Sequence, residues 1–326
     1  SQTELTQDDL EANYEGSTGV NIDSFFRKAA FALRFSEIDP LISDLLTEES
    51  RVIYNRDAVE RVQLIAPYLL LDPDPYPVLM DGGIKYVVDG YTTSGNYPYA
   101  ESFNAQELDA EAVGETFNYV SNSVKALVDA YDGTVELFLT DTLYGSEDPI
   151  IRAYAEAFPD LYSETLPSGL LEHLRYPELL FKLQTTAWGR YHQASASTFF
   201  NNSDLWDIAQ DPPSDADAQT TTLTDENGVP SSDFPRIDPY FQMIQLAPDR
   251  QPEFLLTRPF VLASQGDSAR NLTAIMVVGN DADNYGKLEE VVIQASGDAE
   301  SGATTNRVDG TLQAAERIAT DQQVSS

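Results

Sequence analysis

The sequence predicts an α+β fold built on antiparallel β-hairpins, and three observations lead to that expectation. A segment occurs twice, at residues 84–91 and 124–131, with Lys, Val, Asp and Tyr at the same four places. Turn residues such as Asp81-Gly82-Gly83 separate segments of alternating polarity, as in a β-hairpin. Helical signals then dominate from 148 to 192. We therefore expect antiparallel hairpins, including one duplicated unit, together with a helical segment.

The two similar segments predict two β-strands, each with a buried side and a polar side. Side chains alternate between the faces of a strand, so Val88 and Val124 would lie on the buried side. If the two strands are antiparallel neighbours, one lysine of each copy would face one aspartate of the other. The predicted polar side holds Lys85, Asp89 and Tyr91 in the first copy and Lys125, Asp129 and Tyr131 in the second. The expected ion pairs are Lys85 with Asp129 and Lys125 with Asp89.

The other elements follow from capping residues, turn residues and periodicity. The acidic stretch 101–116 is expected to be partly helical. Helices are predicted at 23–35, 39–47 and 55–66, and within 148–192 from Asp148-Pro149 and from Pro177. Strands are predicted at 78–80, 84–91, 123–130, 135–139, 240–246, 254–263, 272–278 and 288–293.

The first predicted helix, 23–35, is a basic segment in a very acidic chain. Its apolar residues, among them Phe25, Phe26 and Leu33, form a broad arc with Arg27 and Arg34 opposite. One interpretation is a helix that packs on the core and leaves its arginines in solvent. The other is a helix that lies near a membrane surface.

Length and composition predict a water-soluble body with flexible ends. The chain has 326 residues and 42% hydrophobic content, enough for a sizeable core. It begins with Ser and contains no signal peptide or apolar run long enough to cross a bilayer, so we interpret it as part of a longer protein. The predicted organisation is a linker at 1–19, one domain at 20–295, or two subdomains at 20–206 and 237–295 separated by an acidic loop at 207–236, and a disordered tail at 296–326.

Charge and residue counts exclude several classes of function. The formal net charge is −35, which repels nucleic acid, so no nucleic-acid partner is expected. The chain has no cysteine, which excludes thiol nucleophiles, disulfides and cysteine-ligated metals, and its two histidines nearly rule out a multi-histidine metal centre. It has neither a Gly-x-Ser-x-Gly elbow nor a phosphate-binding glycine loop, so no catalytic residue is assigned.

The candidate binding surface is the predicted loop 92–99 together with the strand end beside it. Tyrosines, hydroxyl groups and a flexible glycine in one loop suit ligand contact, although a purely structural corner fits the same composition. The candidate binding residues are Asp89, Tyr91, Thr92, Thr93, Asn96 and Tyr97.

Two groups of aspartates are candidate metal ligands, with calcium as the cofactor that their oxygens would take. Asp72 and Asp74 alternate with prolines, and Asp281 and Asp283 lie in a predicted hairpin loop. The second loop starts like an EF-hand and has Gly286 at its sixth position, but Val292 occupies the twelfth, where glutamate is required. A metal-free Pro-rich turn and a polar hairpin loop are the alternatives, in which case no cofactor is bound.

Several segments occur in one order along the chain and together carry a resemblance. They are 14–20 (YEGSTGV), 24–27 (SFFR), 51–57 (RVIYNRD), 72–78 (DPDPYPV), 88–99 (VDGYTTSGNYPY), 117–120 (FNYV), 132–135 (DGTV), 148–151 (DPII), 173–178 (HLRYPE), 252–254 (PEF) and 285–288 (YGKL). Taken together, they resemble uncharacterised protein family 0182, found chiefly in actinobacteria, over roughly residues 14–290.

The resemblance implies a place in a membrane protein. Members of that family are multi-pass membrane proteins with a large soluble region, so this chain would be that region, on the extracytoplasmic side of the cell membrane. Its partner would be the membrane-spanning region of its own full-length protein, with cell-envelope proteins or ligands as further candidates. The family has no established activity. We expect a non-catalytic binding or assembly domain; the alternative is an extracytoplasmic enzyme acting on cell-envelope glycan or lipid, with a cleft that joins Asp72, Asp74, Asp89 or His173.

Overall fold

The protein has an α+β fold, as predicted, with antiparallel hairpins and short helices. A computed structural model describes residues 16, 18–43, 46–47, 49–105, 116–145, 147–212, 223–224, 230–231, 235–263, 271–293 and 308–321. Most of the predicted linker 1–19 and of the predicted helix within 101–116 lies outside the described residues.

The chain divides into two compact units that alternate along the sequence. The first unit comprises Ser1–Thr93, Asn122–Thr142 and Ser146–Gly169, and the second comprises Ser94–Ser121, Leu143–Gly145 and Leu170–Ser326. The chain enters the second unit three times, and the predicted domain bounds remain a prediction.

The helices lie close to their predicted positions where capping residues mark their starts. Ser24, Asp57 and Asp148 each accept a hydrogen bond from a backbone N–H of the first helical turn, as N-cap residues do. The helices are α1 Phe25–Phe35, α2 Asp39–Ile42, α3 Ala58–Ile65, α4 Asp141–Tyr144, α5 Pro149–Ala157, α6 Glu178–Tyr191, α7 Ala196–Asn201 and α8 Thr311–Thr320.

The strands include every strand that the sequence predicts, with bounds that shift by a few residues. In chain order they are β1 Val20–Asn21, β2 Arg51–Val52, β3 Leu70–Leu71, β4 Tyr76–Met80, β5 Gly83–Ser94, β6 Phe103–Asn104, β7 Thr116–Phe117, β8 Tyr119–Asp129, β9 Val135–Leu139, β10 Tyr162–Ser163, β11 Trp206–Ile208, β12 Leu223–Thr224, β13 Pro230–Ser231, β14 Tyr240–Ile244, β15 Glu253–Leu262, β16 Leu272–Gly279 and β17 Leu288–Val292.

The sheet of the first unit brings the two similar segments together. Its strand order is β10-β9-β8-β5-β3, and β4 also pairs with β5. The β4–β5 hairpin turns through Asp81 and Gly82, whose φ angles of 52° and 78° are those of a two-residue hairpin turn. The neighbours β5 and β8 are antiparallel, since the Ala130 N–H donates to the Ile84 carbonyl while Gly90 lies beside Val124.

One face of this sheet carries the hydrophobic core of the first unit. Val88 of β5 and Val124 and Val128 of β8 are buried there, as their alternation predicts. Val62 of α3 and Ile151 of α5 pack into the same cluster. The opposite face, expected to be polar, buries Asp89 and Lys125, whereas Lys85 and Asp129 are partly exposed.

The sheet of the second unit has the order β11-β15-β16-β17, with β14 also paired to β15. Helix α6 contacts β11 and β15. The contact is close at Gly189, where an added Cβ atom would lie 2.7 Å from the Trp206 carbonyl oxygen. Arg258 of β15 is buried beneath this helix and donates to the Lys182 carbonyl and the Thr185 hydroxyl. Burial lowers the pKa of Arg258 to about 10.

Two segments that were expected to be irregular contain ordered structure. Within the predicted loop 207–236, β11 pairs with β15, and Gln210 bridges to Arg236. Within the predicted disordered tail, Thr311–Thr320 forms α8, which buries Leu312. Much of each range, including 213–222 and 294–307, lies outside the described residues.

Candidate functional site

Asp89, Tyr91 and Thr92 are buried in strand β5, whereas the sequence placed Thr92 in a loop. Strand β5 continues to Ser94, so the predicted loop starts three residues later than expected. The Thr92 hydroxyl lies 2.9 Å from the Ser123 hydroxyl on β8, and both hydroxyls donate to the Asp148 carboxylate. These three side chains are therefore not available on a surface loop.

The remaining predicted binding residues lie at the end of β5 and beyond it. Thr93 is half-buried, while Asn96 and Tyr97 are exposed. The Tyr97 N–H donates to Asn118 Oδ1 at 2.9 Å, and the Tyr97 ring stacks on Tyr119 with 5.6 Å between ring centroids. These contacts order the segment without using the tyrosine hydroxyl.

A buried polar cluster joins one predicted metal ligand to two of the predicted binding residues. Lys125 and Asp89 form a buried ion pair, and Asn122 Nδ2 donates to the same carboxylate at 3.0 Å. The Tyr91 hydroxyl donates to Asp72 Oδ2 at 3.0 Å, and the Asp72 N–H donates to the Asp89 carbonyl at 2.8 Å. The predicted pairing of Lys125 with Asp89 is thus confirmed.

The second predicted ion pair does not form between the described side chains. Lys85 is half-exposed, and the Asp129 carboxylate accepts the backbone N–H groups of Tyr131 and Asp132 at the following turn. The two copies differ because Lys125 lies in the middle of the sheet, whereas Lys85 lies near the end of the β4–β5 hairpin.

Burial raises the pKa of Asp72 above its ordinary value, and the nearby negative charge of Asp89 adds to the increase. The cluster contains two carboxylates and one ammonium group, so the second carboxylate lacks a full counter-charge. The two cavities described below are lined by other residues. The cluster therefore has the character of a structural network, held by one ion pair and several hydrogen bonds.

A second buried network surrounds Asp148, the N-cap residue of α5. Its carboxylate accepts the N–H groups of Ile150 and Ile151 and the hydroxyls of Thr92 and Ser123. The sequence indicated the cap but gave no signal for the hydroxyl partners, which belong to distant strands.

The aspartates proposed as metal ligands lie in different surroundings. Asp74 is exposed, and its N–H donates to Asp72 Oδ1 at 3.1 Å. Asp281 accepts the Phe254 N–H at 2.9 Å, and Asp283 is exposed in the β16–β17 connection. Over the part of the chain that the structure describes, no group of three or more His, Asp or Glu side chains could hold a metal ion. Calcium binding remains an untested prediction.

Helix α1 exposes most of its apolar residues. Ala32 is buried, and Phe31 packs against Tyr54 with 6.0 Å between ring centroids, which holds the helix on the first unit. Phe26 and Leu33, however, are 85% and 84% exposed. The expectation of a core-packing helix is therefore met only along one narrow side.

Each unit contains a cavity that is lined by described residues. The first has a volume of about 360 Å³ and lies between the β1–β2 pair, α3 and the turn before β9, with Arg61 in its wall. The second, of about 210 Å³, is bounded by Phe103, Phe117 and Leu180. The sequence gave no signal for either, because each is lined by segments far apart along the chain.

The comparisons with known proteins agree with the resemblance read from the sequence. The model of an uncharacterised protein family, UPF0182, matches residues 2–326. This chain belongs to UPF0182. The UPF0182 protein of Frankia alni is 38% identical over 85% of this chain and 26% of its own length. The UPF0182 protein of Corynebacterium efficiens is 34% identical over 98% of this chain and 31% of its own length.

These relatives, like the UPF0182 protein of Thermobifida fusca at 37% identity, are actinobacterial proteins much longer than this chain. The chain spans between 26% and 31% of the length of the two relatives compared above. No solved structure matches this UPF0182 chain. Among its described helices, none has the length and apolar character needed to cross a membrane.

Proposed function

We propose that this chain is a non-catalytic assembly domain of a membrane protein, located on the extracytoplasmic side, and that helix α1 contacts the lipid surface. The observation that carries the proposal is the exposed apolar strip formed by Phe26 and Leu33 on α1. Large apolar side chains on one helix face, rimmed by basic residues, are typical of helices that lie in the membrane interface.

The geometry of α1 suits this role. Phe26 and Leu33 are seven residues apart, which is two helical turns, so they lie on the same face with Ala30 between them. Arg27 and Arg34 have the same spacing and each follow a strip residue directly, so they lie about 100° around the helix from the strip, beside it and not opposite it as predicted from the sequence. The helix contains three basic residues and no acidic one, although the whole chain has a net charge of −35.

The apolar surface extends beyond α1. Ile42 of α2 and Ile38, the residue that precedes this helix, are 66% and 63% exposed, and α2 contacts α1. Contiguous exposed apolar residues of this kind usually mark an interaction surface. A lipid surface is favoured as the partner because apolar and basic groups occur together.

The expected affinity is modest. Burial of one large apolar side chain contributes about 1.5–3 kcal/mol, and each basic residue near an anionic bilayer adds about 1 kcal/mol. The acidic remainder of the chain opposes binding, but salt screens charges beyond about 8–10 Å. Such a contact would orient a domain that is tethered elsewhere, which suits a chain covering only 26–31% of its relatives.

Placement on the extracytoplasmic side is supported by the family resemblance alone. It can be tested separately, by adding a protease to spheroplasts that produce the full-length protein. Cleavage within this region without lysis is expected, whereas cleavage only after lysis would place the domain in the cytoplasm.

The lipid contact can be tested by sedimentation with phosphatidylglycerol vesicles. The wild-type chain should co-sediment, and a Phe26→Glu/Leu33→Glu double variant should bind about tenfold more weakly or worse, since it loses apolar burial and gains negative charge. Phe200→Glu is the matched control, because Phe200 is 86% exposed on α7 and should not matter. Circular dichroism would verify that all three proteins are folded.

Two results would contradict the proposal. Equal binding of the double variant and the wild type would mean that α1 is not the contact. No binding of the wild type would argue that the apolar surface packs against the protein's own spanning region instead.

A further inference from the structure

Arg61 stands in the wall of the larger cavity without a carboxylate partner in the described part of the chain. Its Nη1 donates to the Gly133 carbonyl at 2.6 Å, and its Nη2 donates to the Tyr54 carbonyl at 3.4 Å. A guanidinium group has five N–H donors, so three remain after these two bonds. By contrast, Arg152, Arg190 and Arg250 each pair with a carboxylate.

The charge of Arg61 is therefore held in place by neutral carbonyls. Carbonyl oxygens orient the guanidinium group but leave its positive charge uncompensated. In a chain with 54 acidic and 19 basic residues, a cavity-lining arginine without such a counter-charge is well placed to bind an anion.

The rest of the cavity is mainly apolar. Val20 of β1, Val52 of β2 and Val135 of β9 line it together with Leu64 of α3. Leu64 is 66% exposed, so apolar surface continues from the cavity to the outside. The volume of about 360 Å³ is within the usual range for small-molecule sites. One cationic group among apolar walls matches a ligand with one anionic group and an apolar tail.

We propose that this cavity binds an anionic amphiphile, with Arg61 holding the head group and Val20, Val52 and Leu64 contacting the tail. Tyr54 both lines the cavity and packs against Phe31 of α1, so the site lies beside the helix assigned to the lipid surface. The proposal rests on the proposed function to the extent that the membrane supplies this ligand.

Calorimetric titration with octyl phosphate below its micellar concentration tests the site without any membrane. The wild-type chain should bind octyl phosphate, and Arg61→Gln should weaken binding about tenfold or more, because a charge-assisted hydrogen bond is lost. Arg56→Gln is the matched control, since Arg56 is exposed and does not line the cavity. Leu64→Glu places a carboxylate beside Arg61 at an exposed position, and should likewise abolish binding in a folded protein.

Two further probes distinguish the source and the chemistry of the ligand. Octyl glucoside, with the same tail and no charge, and inorganic phosphate, with the charge and no tail, should each bind about tenfold more weakly or worse. Equal binding of inorganic phosphate would overturn the amphiphile in favour of a free anion. Equal binding of octyl glucoside, or no effect of Arg61→Gln and Leu64→Glu, would overturn the role of Arg61.

The two proposals fail separately. Loss of vesicle binding in the Phe26→Glu/Leu33→Glu variant with unchanged octyl phosphate binding is expected if both are right. Vesicle binding by a wild-type chain that does not bind octyl phosphate would overturn the cavity site alone. Octyl phosphate binding by a wild-type chain that ignores vesicles would overturn the membrane contact alone.

Discussion

Lys125 on β8 and Asp89 on β5 form an ion pair between neighbouring strands, and both side chains are buried in the first unit. The positions that correspond to them in the repeated sequence behave differently. Lys85 is half-exposed, and Asp129 accepts backbone hydrogen bonds at a turn. Lys125 of one copy is thus in a buried ion pair, whereas Lys85 of the other copy is partly exposed. Lys85 can therefore serve as the control for substitutions of Lys125.

Lys125→Met is expected to destabilise the first unit by about 3–5 kcal/mol, because it leaves the Asp89 carboxylate buried without its counter-charge. Both tryptophans, Trp188 and Trp206, belong to the second unit, so their fluorescence would not report this change. Hydrogen exchange of the β5 and β8 amides is the appropriate measurement.

Lys85→Met is the matched control for this experiment. It removes the equivalent lysine from a half-exposed site and should change stability by about 0.5 kcal/mol or less. The double change Asp89→Asn/Lys125→Met should recover part of the loss, because no charge is then left unpaired. Equal costs for Lys85→Met and Lys125→Met would show that the buried pair has no special weight.

Asp148→Ala should cost about 2–4 kcal/mol, since it removes both a helix N-cap and the acceptor for two buried hydroxyls. Those hydroxyls belong to Thr92 and Ser123. The expected readout is faster exchange of the α5 amides together with the adjoining parts of β5 and β8.

Asp57→Ala provides the comparison. Asp57 is the exposed N-cap residue of α3, and its carboxylate accepts one hydrogen bond, from the Glu60 N–H. Its cost should be about 1 kcal/mol, confined to α3. If the two alanine variants lose the same stability, the hydroxyl network around Asp148 contributes nothing beyond the cap.

Asp72→Asn should change the pH dependence of stability. Burial raises the pKa of Asp72 in the folded state above its ordinary value of 3.8, so its protonated form favours folding. Its contribution is fully present below pH 3.8 and is lost as pH rises through the folded pKa. Asparagine resembles the protonated acid and can still accept from the Tyr91 hydroxyl. The variant should therefore gain stability relative to wild type as pH rises through this range.

The measurement is the difference in opening free energy between Asp72→Asn and wild type, obtained for the β3 and β5 amides at several pH values. Asp74→Asn is the control. Asp74 is exposed and two residues away, so this variant measures the general effect of removing one negative charge. If the stability of Asp72→Asn relative to wild type falls as pH rises, the raised pKa of Asp72 is contradicted. That sign would require a folded-state pKa below the unfolded-state pKa.

Local features of the fold could be predicted from the sequence because they depend on short-range backbone geometry. Asp81 and Gly82 specify a two-residue turn through backbone sterics, and Ser24, Asp57 and Asp148 start helices through hydrogen bonds within one turn. Strand bounds were less certain. The loop predicted after Tyr91 is strand as far as Ser94, because pairing with β8 outweighs the turn-like composition of Thr92 and Thr93.

The candidate site was only partly readable. The cross-strand pairing of Asp89 with Lys125 followed from the repeat, but its burial did not, since the sequence cannot say what lies over a sheet face. Arg61 gave no signal at all. Its cavity is assembled from residues near 20, 52 and 135, and its carbonyl partners are Tyr54 and Gly133.

The sequence by itself determined the family, the α+β class and the alternation that buries Val88 and Val124, because these depend on residue order and on neighbours along the chain. Only the tertiary structure decided that Lys125 is inside while Lys85 is not, that Phe26 and Leu33 of α1 face outward, and that Arg61 borders a cavity. The physical reason is that burial and charge compensation depend on segments distant in sequence, and no local pattern specifies which of them meet.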